Sequence, residues 1–199
     1  MKVLVACEYS GIVRDAFAKK GHDAWSCDIL PTESKGNHIQ DDILKHLDKN
    51  WDLMIAHPPC THLAVSGARW FTEGKKDWSL QTEALDFVRK LLDAPIDKIA
   101  LENPVSVIST KIRKPNQIIQ PYQFGHQAQK TTCLWLKNLP NLKPTKIVSK
   151  GEFTIFKSGK KHPKWYSEGF KLNKQERMKL RSKFWTGIAD AMADQWGNL

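Results

Sequence analysis

The chain has 199 residues, 31 Lys and Arg against 21 Asp and Glu, a formal net charge of +10, and 41% apolar and 26% charged residues. That is enough chain for one domain with a sizeable core and a small appended lobe, and it is the make-up of an ordinary soluble globular protein. No apolar run approaches the roughly 20 residues that span a membrane, and the four cysteines (Cys7, Cys27, Cys60 and Cys133) contain no Cys-x-x-Cys pair. These points argue against a membrane span, a zinc site and a disulfide framework, and they fit a reducing cytoplasm.

Residues 2–7 read as a first core strand; Glu8 interrupts the apolar run, which argues against a signal peptide. Ser10 is placed to cap a helix over about 11–20, with Val13, Ala16 and Phe17 on one face and Gly21 as its stop. Residues 23–28 predict a second strand, 37–40 a short third, and 42–48 a helix. Leu53-Met54-Ile55-Ala56 predicts a buried fourth strand, followed by His57-Pro58-Pro59-Cys60 and a polar loop to about 77. A helix over about 79–93 carries Leu80, Ala84, Phe87, Val88, Leu91 and Leu92 at helical spacing. Residues 97–101 predict strand five, leading into Glu102-Asn103-Pro104. This βαβ series predicts an α/β fold, a mostly parallel sheet with helices on both faces.

The second half is less regular. Residues 131–136 predict a further strand and 152–156 a short one. Asn173 and Glu176 form a capping-box pattern that opens a basic helix to about 183. Thr186 is placed to cap a last helix through about Gln195, ended near Gly197. The charge is concentrated here: residues 143–183 hold 13 Lys and Arg against 3 acids, so this segment carries the whole excess. The aromatics Phe153, Phe156, Trp165, Tyr166 and Phe170 are interleaved with the cations. That combination suits a polyanion whose bases stack on rings, although a merely solvated basic surface would read the same way.

Four points of possible chemistry fall at predicted strand ends, the edge where open α/β sheets bind ligands. Pro58 and Pro59 stiffen the turn that carries Cys60, a candidate nucleophile. Tyr9-Ser10-Gly11-Ile12 lies at the turn into the first helix, where glycine lets a ligand approach backbone N–H groups. Asp28 ends strand two, where an acid can take ribose hydroxyls. Glu102 follows strand five as a candidate general acid, and Asp41-Asp42 adds an acid that could reach an adenine amine. Each has a structural reading as well: a buried thiol, a plain turn, a turn acid.

Read in order, these motifs resemble the cytosine C5 DNA methyltransferase family. Tyr9-Ser10-Gly11-Ile12 is similar to its S-adenosyl-L-methionine loop, Asp28 to its ribose-binding acid, and Asp42-Ile43 to its adenine-contacting pair. Pro58-Pro59-Cys60 is similar to the catalytic Pro-Cys motif, Glu102-Asn103 to the Glu-Asn motif, and residues 186–193 to the last motif. The resemblance covers about residues 1–136 and 184–197. It implies a Rossmann-like S-adenosyl-L-methionine-dependent methyltransferase core (1–136 with 184–199) and a small basic region (137–183) that contacts nucleic acid. It implies Cys60 and Glu102 as catalytic residues, and Tyr9, Ser10, Gly11, Asp28, Asp42 and Pro58 as cofactor-binding. Pro59, Asn103 and Lys130 are the implied substrate-binding residues, with no metal. The implied reaction is methyl transfer to C5 of cytosine in DNA through a covalent Cys60 adduct, with Glu102 assisting at N3.

The chain departs from the family in places. Val13-Arg14 stands where a Gly-Gly pair is usual, Pro104 replaces a Val, and only Lys130 supplies a cation in the Gln127–Thr131 stretch that corresponds to a Gln-x-Arg-x-Arg strand. The short recognition region predicts weak or short sequence preference, or a protein partner that supplies it. The alternatives are a catalytically degenerate nucleic-acid-binding relative, or methylation of RNA or a free nucleotide by the same pocket. An unrelated nucleotide-binding α/β protein is the remaining one. The expected setting is the cytoplasm of a bacterial or phage-infected cell, the compact form leaning toward phage.

Overall fold

The structure is a computed structural model that describes residues 1–199. The first half runs β1 (Lys2–Ala6), α1 (Ile12–Lys19), β2 (Asp23–Asp28), β3 (His38–Gln40), β4 (Leu53–Ala56), α2 (Arg69–Thr72), α3 (Trp78–Leu92) and β5 (Lys98–Asn103). The second runs α4 (Ile108–Lys111), β6 (Gln117–Ile119), β7 (Thr132–Lys137), β8 (Phe153–Ile155), β9 (Lys161–Pro163), α5 (Lys164–Glu168), α6 (Lys174–Ser182) and α7 (Thr186–Trp196).

Seven strands form one sheet in the order β3-β2-β1-β4-β5-β7-β6. The first five are parallel; β7 runs antiparallel to both β5 and β6. Strands buried on both faces read as continuous apolar runs, and β1 and β4 do. Alternation then sorts their side chains to opposite sides. Val3, Val5, Leu53 and Ile55 join Phe17 of α1 and Ile188, Met192 and Trp196 of α7 in one cluster. Leu4, Ala6, Met54 and Ala56 join Leu85, Val88 and Leu91 of α3 in the other. Helices therefore cover both faces, as the βαβ pattern predicts. No helix is long and apolar enough to cross a membrane.

The chain leaves β1 toward β2 and β3, then returns to the other side of β1 with β4. That reversal creates a topological switch point between β1 and β4, with a crevice beyond their carboxyl ends.

Several elements differ from expectation. Ser10 does not take the cap position of the first helix, although its Oγ accepts from Ile12 N–H at 3.3 Å. Gly11 takes the cap position at φ 75°, and the buried Glu8 carboxylate accepts from Val13 N–H (2.7 Å) and Arg14 N–H (3.2 Å). A charged acceptor makes the stronger bond to helix-end N–H groups. Residues 42–48 are not an α-helix but one 3₁₀ turn, Ile43–Lys45. The Asp42 carboxylate caps it through Leu44 N–H (3.0 Å), and Asp41 binds Lys45 and His46, so local side-chain bonds compete with helix propagation. Glu102 and Asn103 lie inside β5 rather than beyond it. The β6 strand is an addition; its three residues are too few to show a period. Thr186 is the first helical residue of α7 and not its cap; His126 Nε2 accepts from Gly187 N–H at 2.9 Å instead.

The capping box of α6 forms as predicted: Asn173 Oδ1 accepts from Glu176 N–H and Glu176 Oε2 from Asn173 N–H. Residues 139–148 run along the core: Leu142 is buried, Pro140 C=O accepts from Trp196 Nε1–H (2.9 Å), and Lys146 bridges Phe124. The β8–β9 hairpin, α5 and α6 pack beside the sheet without joining it.

Candidate active site

Two consecutive prolines remove two N–H groups, so strand pairing stops where β4 ends. His57 N–H makes the last bond, to Ala6 C=O at 2.9 Å. The turn that follows is held from several sides. Asn103 Nδ2–H donates to Pro58 C=O at 2.9 Å from within β5. Cys60 C=O accepts from Leu63 and Ala64 N–H (3.1 and 2.9 Å), and Val65 N–H donates to Val105 C=O. The loop bearing Cys60 is thus laced to the segment after Glu102. Asn103 is buried, with Oδ1 unpartnered.

Cys60 is exposed, whereas Cys27 and Cys133 are buried and Cys7 is half-buried. Although the residue is exposed, its thiol lines the cleft and is hemmed in by protein atoms, and it sits above the ordinary range: desolvation pushes it up, the Glu102 charge adds to this, and Lys130 pulls the other way. Those two charges place a carboxylate and an ammonium within electrostatic reach of the sulfur. Glu102 Oε2 lies 3.1 Å from His57 Nδ1, and both side chains are only 13% exposed. Phe184 packs its ring against the imidazole, with centroids 4.8 Å apart.

The turn after β1 forms the opposite wall. Ser10 Oγ–H donates to Glu8 Oε1 (3.2 Å), and the Tyr9 carbonyl accepts from Glu33 N–H. A Cβ on Gly11 would fall 2.1 Å from Ser34 Oγ, so only glycine fits. The departure at Val13-Arg14 has a structural counterpart. Arg14 is buried and binds Ser26 Oγ (3.1 Å), Thr32 Oγ1 (3.2 Å), Lys35 C=O (3.1 Å) and Ser34, gathering the loop after β2 around its guanidinium.

Between these walls lies a cleft of about 450 Å³, a size that suits a small ligand. It is lined by Tyr9 and Ser10, by Pro58, Pro59 and Cys60, by Glu102, Asn103 and Lys130, and by residues 179 and 181–184 of the basic segment. Gly11, Asp28 and Asp42 are not among its lining residues. Asp28 Oδ1 accepts from Leu30 N–H and Asp42 Oδ1 from Leu44 N–H, which holds Asp28 at the end of β2 and Asp42 past that of β3, on the β1 side of the switch point. Lys130 Nζ donates to Arg181 C=O (2.7 Å), and Lys179 pairs with Glu33, so the basic segment is fastened to both walls.

Sequence reasoning passed over four participants. His57 was visible only as the residue before the prolines. Glu8 looked like a strand interruption. The Glu33–Lys179 pair joins residues too distant in sequence to show any pattern.

No protein-family model and no curated protein matches the chain. Among solved structures, it is similar to a candidate DNA modification methyltransferase encoded within a prophage of E. coli. The TM-score is 0.46 and the identity 16%, over 74% of this chain and 51% of that one, so the chain spans about half that protein's length.

Proposed function

We propose that this chain is an S-adenosyl-L-methionine-dependent methyltransferase acting on C5 of cytosine in DNA. The observation that carries the reading is the meeting of Cys60 and Glu102 in one cleft, delivered by the adjacent strands β4 and β5 next to the switch point. Neither a buried structural thiol nor a plain turn acid accounts for an exposed cysteine facing a sequestered carboxylate.

The residues present fit the cofactor. A free helix N-terminus attracts phosphate, but here Glu8 already occupies that of α1. An anionic pyrophosphate would meet a fixed carboxylate, whereas a ligand bearing a sulfonium and an ammonium would meet complementary charge. Tyr9, Ser10 and Pro58, which line the cleft, would hold its sulfonium end there; Gly11, Asp28 and Asp42 lie outside that lining, and the two acids would meet its ribose hydroxyls and adenine amine where it extends past the cleft toward β2 and β3. When bound, it supplies an electrophilic methyl group.

The remaining chemistry belongs to side chains of this protein. Cys60, as thiolate, adds to C6 of the ring and makes C5 electron-rich. Glu102, in its protonated form, donates a proton to N3 as negative charge develops there, and takes it back when the thiolate leaves. Once C5 has lost its proton to a base such as water, the C6–Sγ bond breaks and the thiolate departs. Pro59, Asn103 and Lys130 would frame the base, which must leave the duplex stack to enter the cleft. The basic, aromatic segment suits phosphate contact. Its small size leaves little chain for base-edge readout, so sequence preference would be short, or supplied by a partner.

Incubation with labelled S-adenosyl-L-methionine and DNA tests this directly. Label should appear at cytosine C5 and vanish with Cys60→Ser; absence of transfer from the intact chain overturns the proposal.

A further inference from the structure

Ala56 of β4 stands opposite Leu101 of β5 in the parallel register, so the next residues along, His57 and Glu102, fall side by side. The resulting contact is His57 Nδ1 to Glu102 Oε2, at 3.1 Å. The other ring nitrogen, Nε2, is buried with no hydrogen-bond partner. This asymmetry assigns the tautomer. A proton on Nε2 would be a buried donor without acceptor, the rarer and costlier kind of orphan. A proton on Nδ1 instead makes a charge-assisted bond to the carboxylate. The ring cannot easily turn away, because Phe184 packs on it and its own backbone N–H is bonded to β1.

We infer that His57 is a positioning residue for Glu102. Its Nδ1–H holds Oε2, which fixes the rotamer of the carboxyl group and leaves Oε1 to carry the proton that N3 receives. No bond is made or broken at His57. The inference rests on the role proposed above for Glu102 and adds a residue to it.

The test is a double-mutant cycle on the full chain, with single-turnover methyl transfer to duplex DNA as the readout. Glu102→Ala should slow transfer by about 10²- to 10⁴-fold. His57→Leu should slow it by about 10- to 100-fold, in kcat rather than in KM for DNA, because the reacting group is misplaced. The double variant should be no more than about twofold slower than Glu102→Ala alone, since His57 then has nothing left to position. His57→Asn, whose amide sits near the Nδ1 position, should recover most of the rate. His57→Gln, whose amide sits near Nε2, should not, and it replaces the leucine variant if that fails to fold.

Unchanged activity in His57→Leu, losses that multiply in the double variant, or an asparagine variant as slow as leucine would each overturn the inference. Trapping with 5-fluorocytosine DNA separates the two levels. No covalent adduct with the intact chain defeats the Cys60–Glu102 reaction and this inference with it. An adduct combined with indifference to His57 defeats the inference alone.

Discussion

The sheet and the basic segment after residue 150 are built on different principles. In the sheet, side chains from β1, β4, β5 and α7 are fully buried in two clusters, and the arrangement follows from which residues must leave water. From residue 151 to 183 the one buried residue is Gly169. What holds this segment together is ring-on-ring and cation-on-ring contact. Tyr166 meets Phe170 edge-on at 5.5 Å, and Arg181 stacks over Tyr166 at 4.2 Å. It is docked through single bonds, such as Trp165 Nε1–H to Gln129 C=O (3.1 Å). The difference teaches that one half is specified by burial and the other by surface chemistry. Mutations should therefore act on stability in the first and on binding in the second.

The sharpest test of the sheet's role as scaffold for chemistry is Cys60→Ser. It should lower methyl transfer by at least about 10³-fold while leaving the thermal midpoint nearly unchanged, as measured by single-turnover assay and calorimetry. Next in size is a pair of truncations read by denaturant unfolding. Trp196→Ala, which empties a fully buried site, should destabilise by about 3–5 kcal/mol. Phe170→Ala, at a side chain 49% exposed, should change stability by less than about 1 kcal/mol and weaken DNA binding instead. Equal destabilisation by the two would break the comparison.

A third test asks whether Cys60 feels the charges around it. Its thiol lies above the ordinary range, so alkylation by iodoacetamide should still be climbing at a pH where a free thiol has levelled off. Glu102→Gln removes a negative charge, lowers that value and should speed alkylation at pH 7.5 by about three- to tenfold. Lys130→Met should slow it by a similar factor. The smallest effect is expected on the surface of the basic segment. Neutralising Lys174 on α6 should reduce the salt slope of DNA binding by about 0.9 if it meets one phosphate, measured by titration from low to moderate salt. An unchanged slope would place the DNA elsewhere.

The sequence was legible where burial decides. Leu53-Met54-Ile55-Ala56 could only be an inner strand, and Asn173 with Glu176 could only open a helix. Cys60 and Glu102 were legible as candidates because prolines and strand ends mark them. The errors fall where side chains compete with local pattern. Ser10 looked like the natural cap, yet Glu8, two residues earlier, reaches the helix end with a full charge. Residues 42–48 had helical composition, but Asp41 and Asp42 bind the backbone and side chains just after them. The partners His57, Arg14 and Lys179 stayed hidden because each acts on a residue brought near only by the folded chain. A one-dimensional pattern carries periodicity and caps; it does not carry the register that sets His57 beside Glu102.

The basic segment leaves the core after Val148 and rejoins it at α7, and the path between is bonded to both walls of the cleft. It is in effect a long loop whose two ends are anchored by the sheet. Closing such a loop costs only about 0.6 kcal/mol more for each doubling of its length. The scaffold is therefore nearly indifferent to how much chain is inserted there. A larger reading head, or a different one, could be grafted between Val148 and Phe184 without redesigning a single strand. The folding problem and the target-selection problem can thus be changed separately.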